Sequence, residues 1–274
     1  MTTLLAWVSY PSEKGRKVPS ALYIVSESRI TWGSHAHRWD AGRKVFTARD
    51  EPHIFGYCGD VVFPSLVLAQ ITSAIDQKLL FPDGVDAEAK HTRIYDSIKR
   101  SFGRRHNAPD QSFWILHAMR TSDGPAAQFA MWQISYDAKE KGWQSEPITI
   151  PLKTGVLASL GSGAKITDRH VGRWKKSDVG DRSSSIFSAF YDAVTSKADP
   201  LSGGAPQIAA LFSSLGPQII GFVKDGVHYL HGLELVPGKM LAQIEWRDEL
   251  FQRIDPMTLK RKSGARRFAR PAGV

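Results

Sequence analysis

Two pairs of helix-like segments, each bracketed by short apolar runs of strand character, set the frame for this chain. Residues 3–10 read as a strand running into the polar Pro11-Ser12-Glu13-Lys14-Gly15 loop, and Ala21 to Ser26 as the returning strand. Arg29 to Gly33, Lys44 to Ala48 and His53 to Tyr57 add short strands. Val61 to Leu79 places Val62, Leu66, Leu68, Ile71 and Ile75 near helical spacing. Ala87 to Phe102 reads as a second helix with Ile94, Tyr95 and Ile98 inward. Ser112 to Met119 and Gln128 to Ser135 form a hairpin around Ser122-Asp123-Gly124, and Trp143 to Ile150 and Val156 to Leu160 continue the sheet. Residues 164–175 and 183–197 supply the second helix pair. Gln207 to Phe212 is short enough for helix or strand; Gly203-Gly204 before it and a hairpin-like run after it favour strand. Gln218 to Val223 and Val227 to Leu235 close the order, which is the one expected when two sheets stack between two helix layers.

Composition is compatible with that size of core. Of 274 residues, 42% are hydrophobic and 23% charged, with no Pro/Ser-rich linker or internal repeat. One domain over residues 1–256 is expected, followed by a basic, flexible tail over 257–274. Of the net charge of +9, six positive charges lie after Pro256 with no acidic residue among them, leaving +3 for the rest. Such a tail could meet nucleic acid or an acidic partner, but only Phe268 offers an aromatic platform among the charges, so nucleic acid is not the expected partner. The single cysteine, Cys58, excludes an intramolecular disulfide and a multi-cysteine zinc site. No apolar run approaches the ~20 residues of a membrane span. No basic segment precedes an apolar one at the start, so no signal peptide is read and a cytoplasmic setting is expected.

The chain starts Met1-Thr2-Thr3-Leu4-Leu5-Ala6-Trp7-Val8. Removal of Met1 would leave Thr2 with a nucleophilic hydroxyl and a free α-amine, whose ordinary pKa of about 7.7–8.0 makes it a base near neutral pH. Downstream come Ser26-Glu27-Ser28-Arg29-Ile30-Thr31-Trp32-Gly33, Gly42-Arg43-Lys44-Val45-Phe46 and Phe55-Gly56-Tyr57-Cys58-Gly59. Leu160-Gly161-Ser162-Gly163 and Asp199-Pro200-Leu201-Ser202-Gly203-Gly204 follow much later. In this order the set resembles the proteasome β-subunit/HslV-type peptidases, a family of N-terminal-nucleophile hydrolases, over roughly residues 2–80 and 156–232.

The resemblance implies an α+β fold, a four-layer αββα sandwich of two stacked antiparallel sheets between helix layers. It implies a threonine peptidase: Thr2 as nucleophile, Lys44 beside it keeping the amine neutral and basic, and Glu27 pairing with Lys44 where the family usually has aspartate. Ser162, Asp199 and Ser202 would orient the amine and relay protons, and the Gly59 N–H would hold the oxyanion. Ile30, Phe46, Tyr57 and Val61 would line an apolar pocket for the residue before the scissile bond. It further implies a ring or related homo-oligomer acting on polypeptides, with an ATP-dependent unfoldase as an optional partner. A catalytically silent scaffold and an amidase for small amides are the alternatives.

Other chemistries lack parts. Cys58 has no evident base and reads as a buried structural thiol. His35 and His37 could share a strand face, but no third metal ligand accompanies them. No Gly-rich phosphate fingerprint opens a helix, so neither a nucleotide nor any other cofactor is expected. The region beyond about residue 236 has no counterpart in the resemblance.

Overall fold

The computed structural model of the chain describes residues 2–11, 18–33, 37–122, 124–236 and 238–271. Met1, the loop cations Lys14, Arg16 and Lys17, His35 and the turn residue Asp123 lie outside them. The described residues build two sheets. The larger runs β10 (Gly155–Leu160), β1 (Leu4–Ser9), β2 (Ala21–Ser26), β11 (Gln207–Phe212), β12 (Gln218–Lys224), β13 (Val227–Leu230), β14 (Leu233–Leu235), each antiparallel to the next. The smaller runs β5 (Val45–Thr47), β6 (His53–Gly59), β7 (Phe113–Ser122), β8 (Gln128–Asp137), β9 (Gly142–Pro147), also antiparallel throughout. β3 (Ile30–Thr31) and β4 (Arg38–Trp39) form a separate ribbon.

Of the four apolar clusters among the described residues, three stack through the sandwich. β1 reads as a continuous apolar run because both its faces are buried. Leu4 and Ala6 join Leu22, Ile24, Ile54, Leu116 and Ala209 between the sheets. Leu5 and Trp7 turn the other way, onto Phe187 and Phe190 of α4 (Ser183–Thr195), which packs beside α3 (Ala164–Lys175). Across the smaller sheet, Phe55, Ile115 and Ile134 meet Leu68 and Ile71 of α1 (Val62–Asp76) and Ile94 and Ile98 of α2 (Ala87–Phe102). The result is the αββα sandwich, with each buried Leu, Ile or Phe contributing roughly 1.5–3 kcal/mol.

Several boundaries differ from the sequence reading for identifiable reasons. α1 stops at Asp76, not Leu79, in a Schellman motif: the Leu79 and Lys78 N–H groups return to the Ala74 and Ile75 carbonyls at 2.9 Å, with Lys78 at φ 56°. The run Val227 to Leu235 is a hairpin, broken where His231 and Gly232 adopt φ of 53° and 83°. The strand expected to Ile150 ends at Pro147. The C-terminal region adds β15 (Trp246–Arg247), parallel to β12, and β16 (Arg253–Ile254) beside it. Within the C-terminal segment, Phe268 N–H donates to Gln252 Oε1 at 3.0 Å, and Arg270 forks onto Asp192 at 2.6 and 2.8 Å.

A row of buried histidines pins α2 to the smaller sheet. His53 Nδ1 lies 2.9 Å from His117 Nε2, His117 Nδ1 lies 3.0 Å from His91 Nδ1, and His91 Nε2 lies 2.7 Å from Ser145 Oγ. Glu51, which also pairs with Lys90, faces the outer end of the row at His53 Nε2. Each ring-to-ring contact accommodates one proton, so the trio holds at most four, against six when all rings are cationic. Burial opposes even the first extra charge: it lowers His53 and His91, the latter to about 4, and holds His117 well below the ordinary range. Folded pKa values below the unfolded ~6.5 mean that the unfolded chain binds more protons, so this stability is present above ~6.5 and lost as pH falls. Unfolding free energy should be flat from pH 8 to 7, then fall between 6.5 and 5 by more than ~1.4 kcal/mol per pH unit, the slope of one histidine. Denaturant titrations across that range test this; a slope unchanged in His117→Phe would contradict it.

Candidate active site

Strand register brings four chain segments to one end of the larger sheet. Leu4 opens β1 and pairs with Leu160 on one side and Ser26 on the other. The residues before Leu4 therefore lie against the Gly161-Ser162 turn and Glu27. Ser26 also pairs with Gln207, which sets the Asp199–Gly204 loop on the far side of Glu27. Lys44 precedes β5 and is anchored by its own N–H, which donates to Gln207 Oε1 at 2.9 Å. Gly161, at φ 91°, follows directly: a Cβ there would sit 1.9 Å from the Thr2 carbonyl oxygen.

At the centre is Lys44, fully buried with Glu27. Its Nζ donates to Thr2 Oγ1 at 2.8 Å, to Glu27 Oε1 at 2.5 Å and to the Arg29 carbonyl. Three acceptors match the three N–H bonds of an ammonium. The Glu27 carboxylate is held from four directions. Oε1 also accepts the Thr3 N–H at 3.3 Å, and Oε2 accepts the N–H groups of Arg29 at 2.6 Å and Gly203 at 3.1 Å. Burial pushes the Glu27 carboxyl up and the Lys44 ammonium down, and each opposes the other's shift. The donors around Glu27 and the acceptors around Lys44 favour the ionised pair.

A second hydrogen-bonded chain runs alongside. Ser162 Oγ and Ser202 Oγ donate to the same Asp199 Oδ2 at 2.7 and 2.8 Å, and Ser202 Oγ is 2.7 Å from Thr3 Oγ1. Because the Ser202 proton goes to Asp199, the Thr3 hydroxyl donates to Ser202. The expected trio of Ser162, Asp199 and Ser202 is thus assembled, and its direct side-chain contact is with Thr3. Thr3, Gln207 and Arg29 were absent from the sequence-derived set. Arg29 forks onto Asp40 at 2.7 and 2.8 Å and also donates to the Pro200 and Ser202 carbonyls. Thr3 and Arg29 lie inside the quoted motifs and Gln207 outside them, and it is the strand register that brings all three to the site.

Gly59 ends β6 at φ 97°, and a Cβ there would stand 2.4 Å from the Ser112 carbonyl oxygen. Next to it Asp60 caps α1, accepting the N–H groups of Val62 and Phe63 at 3.2 and 3.3 Å. Beside this turn lies a cavity of about 860 Å³ with Ile30, Thr31, Gly59, Val61, Leu66 and Trp114 in its walls. Ile30 and Val61, two of the four residues expected at a substrate pocket, line this cleft. Phe46 and Tyr57 instead pack in the core under α1, with the Tyr57 hydroxyl donating to the Arg43 carbonyl at 3.1 Å. Cys58 is buried, its thiol pushed up to about 12 by that burial. Among the described residues no group of three or more His, Cys, Asp or Glu could hold a metal ion, and no helix is long and apolar enough to cross a membrane. The pair of His35 and His37 falls partly outside them.

Fold and site together define an αββα sandwich whose strand ends gather a threonine, a lysine and a carboxylate. Solved structures similar to this chain include the Anbu (Gly-1) mutant from Hyphomicrobium sp. strain MC1, at 11% identity and TM-score 0.48, covering 80% of this chain and 86% of that one. HslV from Trypanosoma brucei aligns at 14% identity and TM-score 0.44, covering 76% and 99%. Thiobacillus denitrificans BPH in complex with epoxomicin aligns at 13% and 0.47, covering 77% and 100%. No protein-family model matches the sequence, and no curated protein matches it.

Removing one partner of the Lys44–Glu27 pair strands a buried charge. Lys44→Met should lower the unfolding free energy by about 3–5 kcal/mol, and adding Glu27→Gln should recover part of that loss. Denaturant unfolding of the two variants measures the coupling. A single change costing under ~1 kcal/mol would mean that the pair is not buried as described.

Proposed function

We propose that this chain is a threonine-type N-terminal-nucleophile peptidase, active once Met1 is removed. The observation that carries the reading is the 2.8 Å contact between Lys44 Nζ and Thr2 Oγ1, with Nζ held in turn by Glu27 at 2.5 Å. A nucleophile, a fixed neighbouring cation and a carboxylate orienting that cation form the constellation an activated hydroxyl requires.

Each step follows from those positions. The Thr2 amine, kept neutral by the adjacent ammonium, takes the proton of its own hydroxyl, directly or through a water molecule. Thr2 Oγ bonds to the substrate carbonyl carbon, and the carbonyl oxygen gains the charge. Lys44 donates to Oγ throughout, and the Gly59 N–H serves the oxyanion; such a donor is worth about 2.7–4 kcal/mol. On collapse the C–N bond breaks, and the Thr2 ammonium returns its proton to the departing amine. The ester left on Thr2 is hydrolysed by water with the same amine as base. Ser162, Asp199 and Ser202, bonded to one another and to the hydroxyl of the adjoining Thr3, would orient the amine of the processed chain. The apolar cleft beside Gly59 suits an apolar side chain on the acyl side of the scissile bond.

A homo-oligomeric assembly that encloses these sites and takes in a polypeptide, with an ATP-dependent unfoldase as an optional partner, completes the reading. Thr2 is only 1% exposed, which fits a site opened by processing.

Hydrolysis of fluorogenic peptides by the processed chain tests this. Thr2→Ala should lose at least 10²–10⁴-fold in rate, the scale of a general-base contribution, while Thr2→Ser retains activity. The rate should rise with pH to a midpoint below the ordinary amine range of about 7.7–8.0. An unchanged rate in Thr2→Ala would sink the assignment.

A further inference from the structure

The proposed chemistry leaves one buried polar side chain without a role. On β11, Ala209 and Leu211 belong to the apolar layer between the two sheets, and strand alternation puts Gln207 on the same face, at 1% exposure. A carboxamide at the end of an apolar stripe is costly unless its donors and acceptor are bonded. They are bonded, and every partner is backbone. Oε1 accepts the Lys44 N–H at 2.9 Å, and Nε2 donates to the Gly42 carbonyl at 2.6 Å and to the Glu27 carbonyl at 3.4 Å.

This side chain crosses from one sheet to the other. Gln207 belongs to the larger sheet, beside β2, whereas residues 42–44 lead into β5 of the smaller one. One carboxamide therefore holds the main chain at both members of the buried ion pair. The turn has little slack on its other side, where a Cβ on Gly42 would stand 2.1 Å from Ile30 Cδ1. A lysine ammonium sits at the end of a flexible four-carbon stem. Its place against Thr2 Oγ1 thus depends on where the main chain starts that stem.

We propose that Gln207 is a positioning residue: its carboxamide fixes the Gly42–Lys44 turn relative to Glu27 and so sets Lys44 Nζ against Thr2 Oγ1. The catalytic consequence rests on the reading of Thr2 as nucleophile; the clamp itself does not. A displacement of about 1 Å at such a site can cost ~10²-fold in rate.

Gln207→Met keeps the length of the side chain and removes all of its hydrogen bonds. In the processed chain it should lower kcat about 10²-fold and leave KM unchanged. The midpoint of its pH–rate profile should move up towards the ordinary amine range of about 7.7–8.0, because a displaced ammonium depresses the Thr2 amine less. Gln207→Glu, of the same shape, still accepts the Lys44 N–H but as a carboxylate cannot donate to Gly42 or Glu27, and should lose part of the rate. Leu211→Ala, on the same face of β11, loosens the core without touching the clamp and should keep the parent kcat and midpoint. Trace acetylation of the full chain, read by mass spectrometry, reports the clamp without any turnover. Lys44 should be labelled about tenfold faster in Gln207→Met than in the parent, and no faster in Leu211→Ala. A parent chain without Thr2-dependent turnover would remove the reading of Thr2 and leave the labelling to decide the clamp. The inference is overturned if both Gln207 variants keep the parent kcat and Lys44 labelling, or if Leu211→Ala matches Gln207→Met in either.

Discussion

A lysine and a glutamate with no exposure to water sit where the ends of β1, β2, β5 and β11 converge, and the surrounding structure is arranged to tolerate them. Two charges taken out of water cost several kcal/mol each, and their mutual attraction offsets that only when every remaining donor and acceptor is used. Here they are used. The three Lys44 donors reach Thr2, Glu27 and the Arg29 carbonyl, and the carboxylate accepts backbone N–H groups from Thr3, Arg29 and Gly203. These partners come from four separate stretches of chain, so the pair holds only if the whole sheet end is assembled. A cluster of this kind is a poor source of stability and a good means of fixing one hydroxyl against one cation.

The rest of the sandwich supplies rigidity around that cluster. β1, buried on both faces, can shift neither along β2 nor against α4 without exposing Trp7 or Leu4. The smaller sheet carries Gly59 at the end of the same strand that begins with His53, so the histidine row and the candidate oxyanion donor share one rigid element. Asp60 then turns that strand into α1, which forms one wall of the cleft.

Much of this was legible in the sequence, for physical reasons that can be named. The apolar runs of β1 and β2 read directly as strands, β11 does so only through the Gly203-Gly204 pair before it and the hairpin-like run after it, and the helices α2 and α3 end where expected, at Phe102 and Lys175. Thr2, Glu27, Lys44, Ser162, Asp199 and Ser202 were nameable through motif order. The Thr3–Ser202 contact was not, since it depends on how β1, β2 and β11 register within one sheet to bring together residues 199 apart. The same holds for the row formed by His53, His91 and His117, each an ordinary residue in its own segment. β4, β15 and β16, with two residues each, are too short to leave any periodicity. Phe46 and Tyr57 carry the right chemistry for a cleft but stand on the face of β5 and β6 that α1 covers.

The most direct test of the central claim is an intact mass of the chain after incubation with a peptide epoxyketone, a reagent that must react with both the hydroxyl and the amine of an N-terminal threonine. The expected result is loss of Met1 together with one adduct per chain, absent from Thr2→Ala even though that variant also loses Met1. A chain that has lost Met1 yet takes no adduct would contradict the assignment of Thr2 as nucleophile.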